Sequence, residues 1–107
     1  MDTFFESMEK PVARPNKTTA KVTVIVPAYN AEKTIGETLI SIRAQTYSQL
    51  EILVVDDGST DATVSIAQSH ADADARVRLI LQENSGVAAA RNRGIMEASC
   101  DYVAPTD

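Results

Sequence analysis

Two hydrophobic periods alternate along most of this 107-residue chain, and that alternation leaves few folds open. Val22-Thr23-Val24-Ile25-Val26-Pro27 is an apolar, β-branched run closed by a proline. Ile52–Val55 and Val77–Leu81 are similar short runs, and Asp101–Ala104 reads as a fourth. Continuous rather than alternating apolar runs suit strands buried on both faces, as in parallel sheets. Helix-period segments lie between them. Ile35, Leu39 and Ile42 stand at i, i+4 and i+7 behind an expected cap at Asn30. Ser59, Thr60 and Asp61 offer capping oxygens for a second helix through about Ser69, followed by a polar connection from His70 to Ala75. A third helix is expected from Gly86 to about Ala98. The order βαβαβαβ predicts an α/β domain with parallel strands and right-handed crossovers.

Composition narrows the function classes. Hydrophobic residues make up 44% of the chain, enough for one small core and far from a disordered composition. No apolar run approaches the ~18 residues of a membrane span, and the start lacks the apolar stretch of a signal peptide. One cysteine, Cys100, and one histidine, His70, exclude an internal disulfide framework and a Cys/His zinc cage. The formal net charge of −5 provides no basic stripe to neutralise phosphates, which argues against nucleic acid as a partner. A soluble protein of a reducing compartment, the cytoplasm, is expected. Residues 1–21 carry four basic and three acidic residues, two prolines and no apolar period, and read as a flexible leader. Phe4 and Phe5 would alternatively make that leader a docking arm.

Open parallel sheets bind ligands beyond the carboxyl ends of their strands. Polar and turn-forming residues collect at all four ends here: Pro27-Ala28-Tyr29-Asn30, Asp56-Asp57-Gly58-Ser59, Asn84-Ser85-Gly86 and Asp107. A strand-to-helix turn accounts for Gly58, Ser59, Thr60 and Asp61. It does not account for two adjacent carboxylates, which repel unless a cation or a donor shares them. Tyr29, directly after the Pro-Ala turn, reads as a rim aromatic rather than a core one. Ala88-Ala89-Ala90 with Gly94 reads as a helix packed closely on the sheet. Arg91 and Arg93 suit either phosphate oxygens or a solvated helix face. His70 places a cation or polar tip near a helix end, and Cys100 reads as a small packed residue.

At these residues the chain resembles the family 2 glycosyltransferases. The resemblance is carried by Val24–Asn30, by Gln45-Thr46-Tyr47, by Val54–Asp61 and by Asn84–Asn92, in order and over residues 22–107. It implies a GT-A fold, a Rossmann-like, mainly parallel sheet flanked by helices, with residues 22–107 as the nucleotide-sugar-binding half. It implies transfer of a sugar from a nucleotide-diphosphate sugar to the hydroxyl of a carbohydrate or lipid-linked acceptor, with inversion, and peripheral membrane association for a membrane-bound acceptor. In that comparison Pro27, Ala28 and Tyr29 line the base pocket. Asp57 matches the aspartate that reads the base, an acceptor suited to the uracil N3–H. Gly86 and Arg91 complete the nucleotide-binding set. Asp107 matches the first aspartate of a metal-binding Asp-x-Asp motif for Mg2+ or Mn2+. The chain stops there, so the second aspartate and the catalytic base are expected beyond residue 107, and the fragment alone is expected to be inactive. A phosphotransfer receiver, whose strand-end acidic pair is similar, needs a later lysine, and none follows Lys33. A dinucleotide site lacks its Gly-x-Gly-x-x-Gly. A non-catalytic nucleotide- or partner-binding module is the remaining alternative.

Overall fold

The computed structural model describes residues 22–45, 49–100 and 102–105, with the backbone alone for Tyr102 and Pro105. The leader, Thr46-Tyr47 and Asp107 lie outside the described residues. Seven elements follow in strict alternation: β1 (Val22–Ala28), α1 (Ile35–Arg43), β2 (Leu50–Asp56), α2 (Thr63–Ala73), β3 (Val77–Leu81), α3 (Val87–Glu97) and β4 (Tyr102–Pro105). The strands form one parallel sheet in the order β3-β2-β1-β4. The chain therefore walks outward from β1 to β3 and then returns to the other side of β1. That reversal is the switch point at which open sheets place a ligand crevice. Pro27 fits there because the described β1–β4 pairing ends at Ile25↔Pro105, beyond which a missing N–H interrupts no ladder on that side.

The continuous apolar runs are explained by helices on both faces. Val22, Val24, Val26, Ile52 and Val54 point toward α1 and α2, where they meet Ile35, Leu39, Ile42 and Ala67. Ile25, Leu53, Val55 and Val103 point the other way, toward Ala90 of α3. Within the small-residue stretch of α3, Ala90 and Gly94 face the sheet, whereas Ala88 is exposed. A Cβ on Gly94 would lie 2.5 Å from Ile25 Cγ2, so the helix rides at contact distance.

Three boundaries differ from expectation, each for a local reason. Asn30 does not cap α1, which begins five residues later behind Thr34. It takes a positive φ of 46°, which asparagine tolerates, and spends its side chain on another loop. Ser59 and Thr60 likewise serve that loop, while Asp61 Oδ1 does accept the Thr63 N–H at 2.9 Å at the start of α2. The second helix runs to Ala73, absorbing His70–Ala73, with a Gln68–Asp72 hydrogen bond of 2.8 Å on its surface. His70 lies in the last turn of α2, near the helix end as expected, as a polar tip rather than a cation. Burial and the neighbouring Arg43 guanidinium, whose Nη1 donates to Nδ1 at 2.7 Å, hold its pKa below the ordinary value.

Charge at the opposite, amino end of the sheet is organised by Glu51, a buried residue of β2. Its Oε1 accepts from Thr23 Oγ1 at 2.7 Å and from the Ser99 N–H at 2.8 Å, and its Oε2 accepts from Arg78 at 2.9 Å. Burial alone would raise its pKa, but these donors outweigh it and the carboxylate is held ionised. One side chain thus joins β1, β2, β3 and the loop entering β4.

Gly94→Ala is expected to destabilise the fold despite alanine's better helix propensity. Overpacking against Ile25 costs about 1–3 kcal/mol, against a gain of ~1 kcal/mol from the helix. A lower urea midpoint at constant m-value is the expected result, and an unchanged midpoint would show that the helix can back away freely.

Candidate nucleotide-binding site

Three loops meet at the carboxyl rim: Tyr29–Thr34 after β1, Asp57–Ala62 after β2, and Gln82–Gly86 after β3. Their junction is built on the adjacent carboxylates of Asp56 and Asp57, both buried. Asp56 closes β2 and Asp57 opens the loop after it, and each acid has its own partners. Asp56 accepts from the Ser59 N–H at 2.9 Å and from the Ser59 hydroxyl at 2.6 Å. Asp57 accepts from Gln82 Nε2 at 2.8 Å and the Ser85 N–H at 2.8 Å on Oδ1, and from the Gly86 N–H at 2.9 Å and Asn84 Nδ2 at 3.3 Å on Oδ2. The repulsion between the two acids is met by protein donors. The Gln82 bond, followed by the Ser85 N–H, holds the Asp57 pKa below the ordinary carboxylate value.

The first loop is tied to the second by reciprocal bonds. The Asp57 N–H donates to Ala28 O at 2.8 Å, the Asn30 N–H to Ser59 Oγ at 2.8 Å, and the Thr60 N–H to Asn30 Oδ1 at 2.8 Å. Farther out, the Ala31 N–H donates to Thr63 Oγ1 at 2.7 Å and the Ala62 N–H to Glu32 Oε1 at 2.9 Å. Tyr29 stands at the inner end of this seam with 52% of its surface exposed, a rim aromatic as its position predicts.

Pro27, Ala28, Tyr29, Asp57 and Gly86 are therefore gathered at one edge. Gly86 has a φ of 101°, and nothing lies within 4 Å of where its Cβ would stand, so the start of α3 is open to a ligand. Arg91 sits one turn into α3, half-buried, with a buried Nε that has no hydrogen-bond partner. No described contact joins it to Asp57. Among the described residues no group of three or more His, Cys, Asp or Glu stands together, and the Asp56 and Asp57 oxygens are already engaged. The described residues thus form no metal cage among themselves. Asn84, Ser85 and Gly86 lie within a motif visible in the sequence, but their shared target does not. Gln82 carries no sequence signal at all; its role follows from strand β3 ending level with β2, at Asp56↔Leu81.

An open parallel sheet whose polar groups converge beside its switch point has the architecture in which α/β domains place a ligand crevice. The model of the family Glycosyl transferase family 2 matches residues 23–107, and the chain belongs to that family. It is 48% identical over 87 residues to the glycosyltransferase GlyA of Streptococcus pneumoniae, covering 81% of this chain and 12% of that protein. Among solved structures it is similar to Staphylococcus aureus TarS 1-349 in complex with UDP-GlcNAc, with a TM-score of 0.75, 35% identity and coverage of 81% of this chain and 26% of that one. It is also similar to the mannosyltransferase PcManGT of Pyrobaculum calidifontis in complex with GDP-Man and Mn2+, with a TM-score of 0.68, 35% identity and coverage of 84% and 28%. The sheet is that of these GT-A structures. The chain spans about an eighth of GlyA and about a quarter of the two solved chains. No helix among the described residues is long and apolar enough to cross a membrane.

Gly58 couples this site to stability. It has a φ of +82°, and a Cβ there would lie 2.9 Å from the Asn84 backbone nitrogen. Gly58→Ala is expected to cost on the order of 1–2 kcal/mol from the left-handed backbone alone and to push the third loop off Asp57. Hydrogen exchange at the Ser85 and Gly86 amides should accelerate beyond the global change; equal acceleration everywhere would uncouple Gly58 from the loop.

Proposed function

We propose that residues 22–107 are the donor-binding half of a glycosyltransferase that moves a sugar from a nucleotide-diphosphate sugar, preferably UDP-linked, to an acceptor hydroxyl with inversion. The observation that carries this reading is the buried Asp57 carboxylate, held ionised at the junction of three strand ends beside an exposed tyrosine. An ionised carboxylate only accepts hydrogen bonds, so it suits a base that presents a ring N–H, as uracil does at N3. The neighbours solved with UDP-GlcNAc and with GDP-Man fit that rule, because guanine presents an N–H at N1.

In this reading Pro27 and Ala28 wall the base pocket and Tyr29 lays its ring against the base. Open space at Gly86 admits the diphosphate to the amino end of α3, where the helix dipole favours negative charge. Arg91 turns its guanidinium to the phosphate oxygens, and its unpartnered Nε is consistent with a missing acceptor. Asp107 would hold the Mg2+ or Mn2+ that neutralises the leaving diphosphate; the Mn2+ of the PcManGT complex supports the use of a divalent metal. No residue of 22–107 is assigned as the base that deprotonates the acceptor. The acceptor is a carbohydrate or lipid-linked sugar, as in polysaccharide assembly, with the enzyme cytoplasmic and attached to the membrane surface where the acceptor is lipid-linked.

Two substitutions in the full-length enzyme test these assignments. Asp57→Asn keeps the size but replaces one acceptor oxygen with a donor, and should weaken UDP binding about tenfold or more by calorimetry. Unchanged affinity would remove Asp57 from the base pocket. Asp107→Ala should abolish Mn2+-dependent transfer while the melting temperature stays within a few degrees, whereas parallel loss of both would make Asp107 structural.

A further inference from the structure

We propose that Gln82 is a specificity gate on the donor site: its carboxamide occupies the acceptor position of Asp57 that the nucleotide base must take, and yields only to a base carrying its own ring N–H. This rests on the donor-site reading above and adds to it a residue that selects the base.

A carboxylate offers about four acceptor positions, and four protein donors fill those of Asp57. An incoming base therefore cannot simply add a fifth. It must displace one, and the four are not equivalent. Ser85 and Gly86 donate from the backbone and cannot leave without moving the loop. Asn84 is held twice, by Asp57 O at 3.0 Å and by Oδ2 at 3.3 Å. Gln82 is attached through a single side-chain bond of 2.8 Å to Oδ1, and its own backbone N–H is separately satisfied by Asp56 O at 3.0 Å. It is half-buried, so its amide can turn out to water while the backbone stays in place.

The exchange is donor for donor, with no proton transferred. A uracil N3–H or a guanine N1–H replaces the Gln82 N–H on Oδ1 and leaves the carboxylate satisfied. Cytosine and adenine present a bare ring nitrogen at that edge, which would set a lone pair against the carboxylate. Such a base can replace the Gln82 bond only by shifting in the pocket to present its exocyclic amino group; in the register that suits uracil or guanine it leaves Asp57 underpaired. Selectivity of this kind lowers the affinity for the correct base somewhat, because its bond replaces one already made, and rejects the wrong base by an unpaired charge.

The test is calorimetry on the full-length protein with UDP and GDP, followed by the ring-N-methylated counterpart of the tighter one. Wild type is compared with Gln82→Leu and with Gln82→Ala, the second guarding against bulk left in the pocket. Both variants should bind the unmethylated nucleotide about three- to tenfold more tightly, the range of one hydrogen bond no longer displaced. The methylated analogue should bind all three proteins alike, so the ratio between the two nucleotides widens. Unchanged or weaker binding of the unmethylated nucleotide in both variants would overturn the gate while leaving Asp57 as the base reader. A wild type that does not distinguish the two nucleotides, or binds neither UDP nor GDP, would overturn base reading by Asp57 and the gate together.

Discussion

The carboxylate of Asp57 is the point through which the rim of this sheet is held together. It sits at the end of a fully buried strand, and its two oxygens collect donors from both the backbone and the side chains of the loop after β3. Its own N–H is bound to the end of β1. A buried charge left unpaired is expensive, so the loop that satisfies it has little freedom to go elsewhere. The electrostatic need of one residue thereby sets the shape of the surface on which a nucleotide would rest. Asp56 solves the same problem differently, within its own turn and through one serine.

The second organising device is the seam between the loops after β1 and β2. Asn30 and Thr60 bond each other's loops, as do Glu32 and Ala62, while Asp61 serves the start of α2. Ser59 serves both devices at once, donating its hydroxyl proton to Asp56 while accepting from the Asn30 N–H. Tyr29 projects from this doubly tied segment and is exposed without being loose. At the other end of the sheet Glu51 plays an equivalent structural part.

The architecture was legible in the sequence because burial on both faces writes itself as unbroken β-branched runs. All seven elements stand where the two periods place them, and Ile35, Leu39 and Ile42 are buried as their spacing requires. The misjudged helix starts share one cause. Asn30, Ser59 and Thr60 are good capping residues by type, but here their oxygens serve partners about 30 positions away, which no local pattern reveals. The end of α2 was missed because alanines and a surface Gln68–Asp72 pair extend a helix that polarity alone would stop. At the site, Tyr29, Asp57 and Gly86 were marked by their strand-end positions. Gln82 and Glu51 were not, since their roles depend on which strands lie side by side and on how far each extends.

The close seating of α3 has a mechanical consequence. A helix with no clearance above Ile25 cannot slide or tilt without carrying the sheet along. The stretch from Gln82 to Gly86 is thus suspended between two anchors, a strand paired into the sheet and a helix locked onto it. Freedom at this edge then falls to the rotation of individual amides and of the tyrosine ring. A scaffold built in this way can change the chemistry of its rim one surface residue at a time, with its interior left untouched.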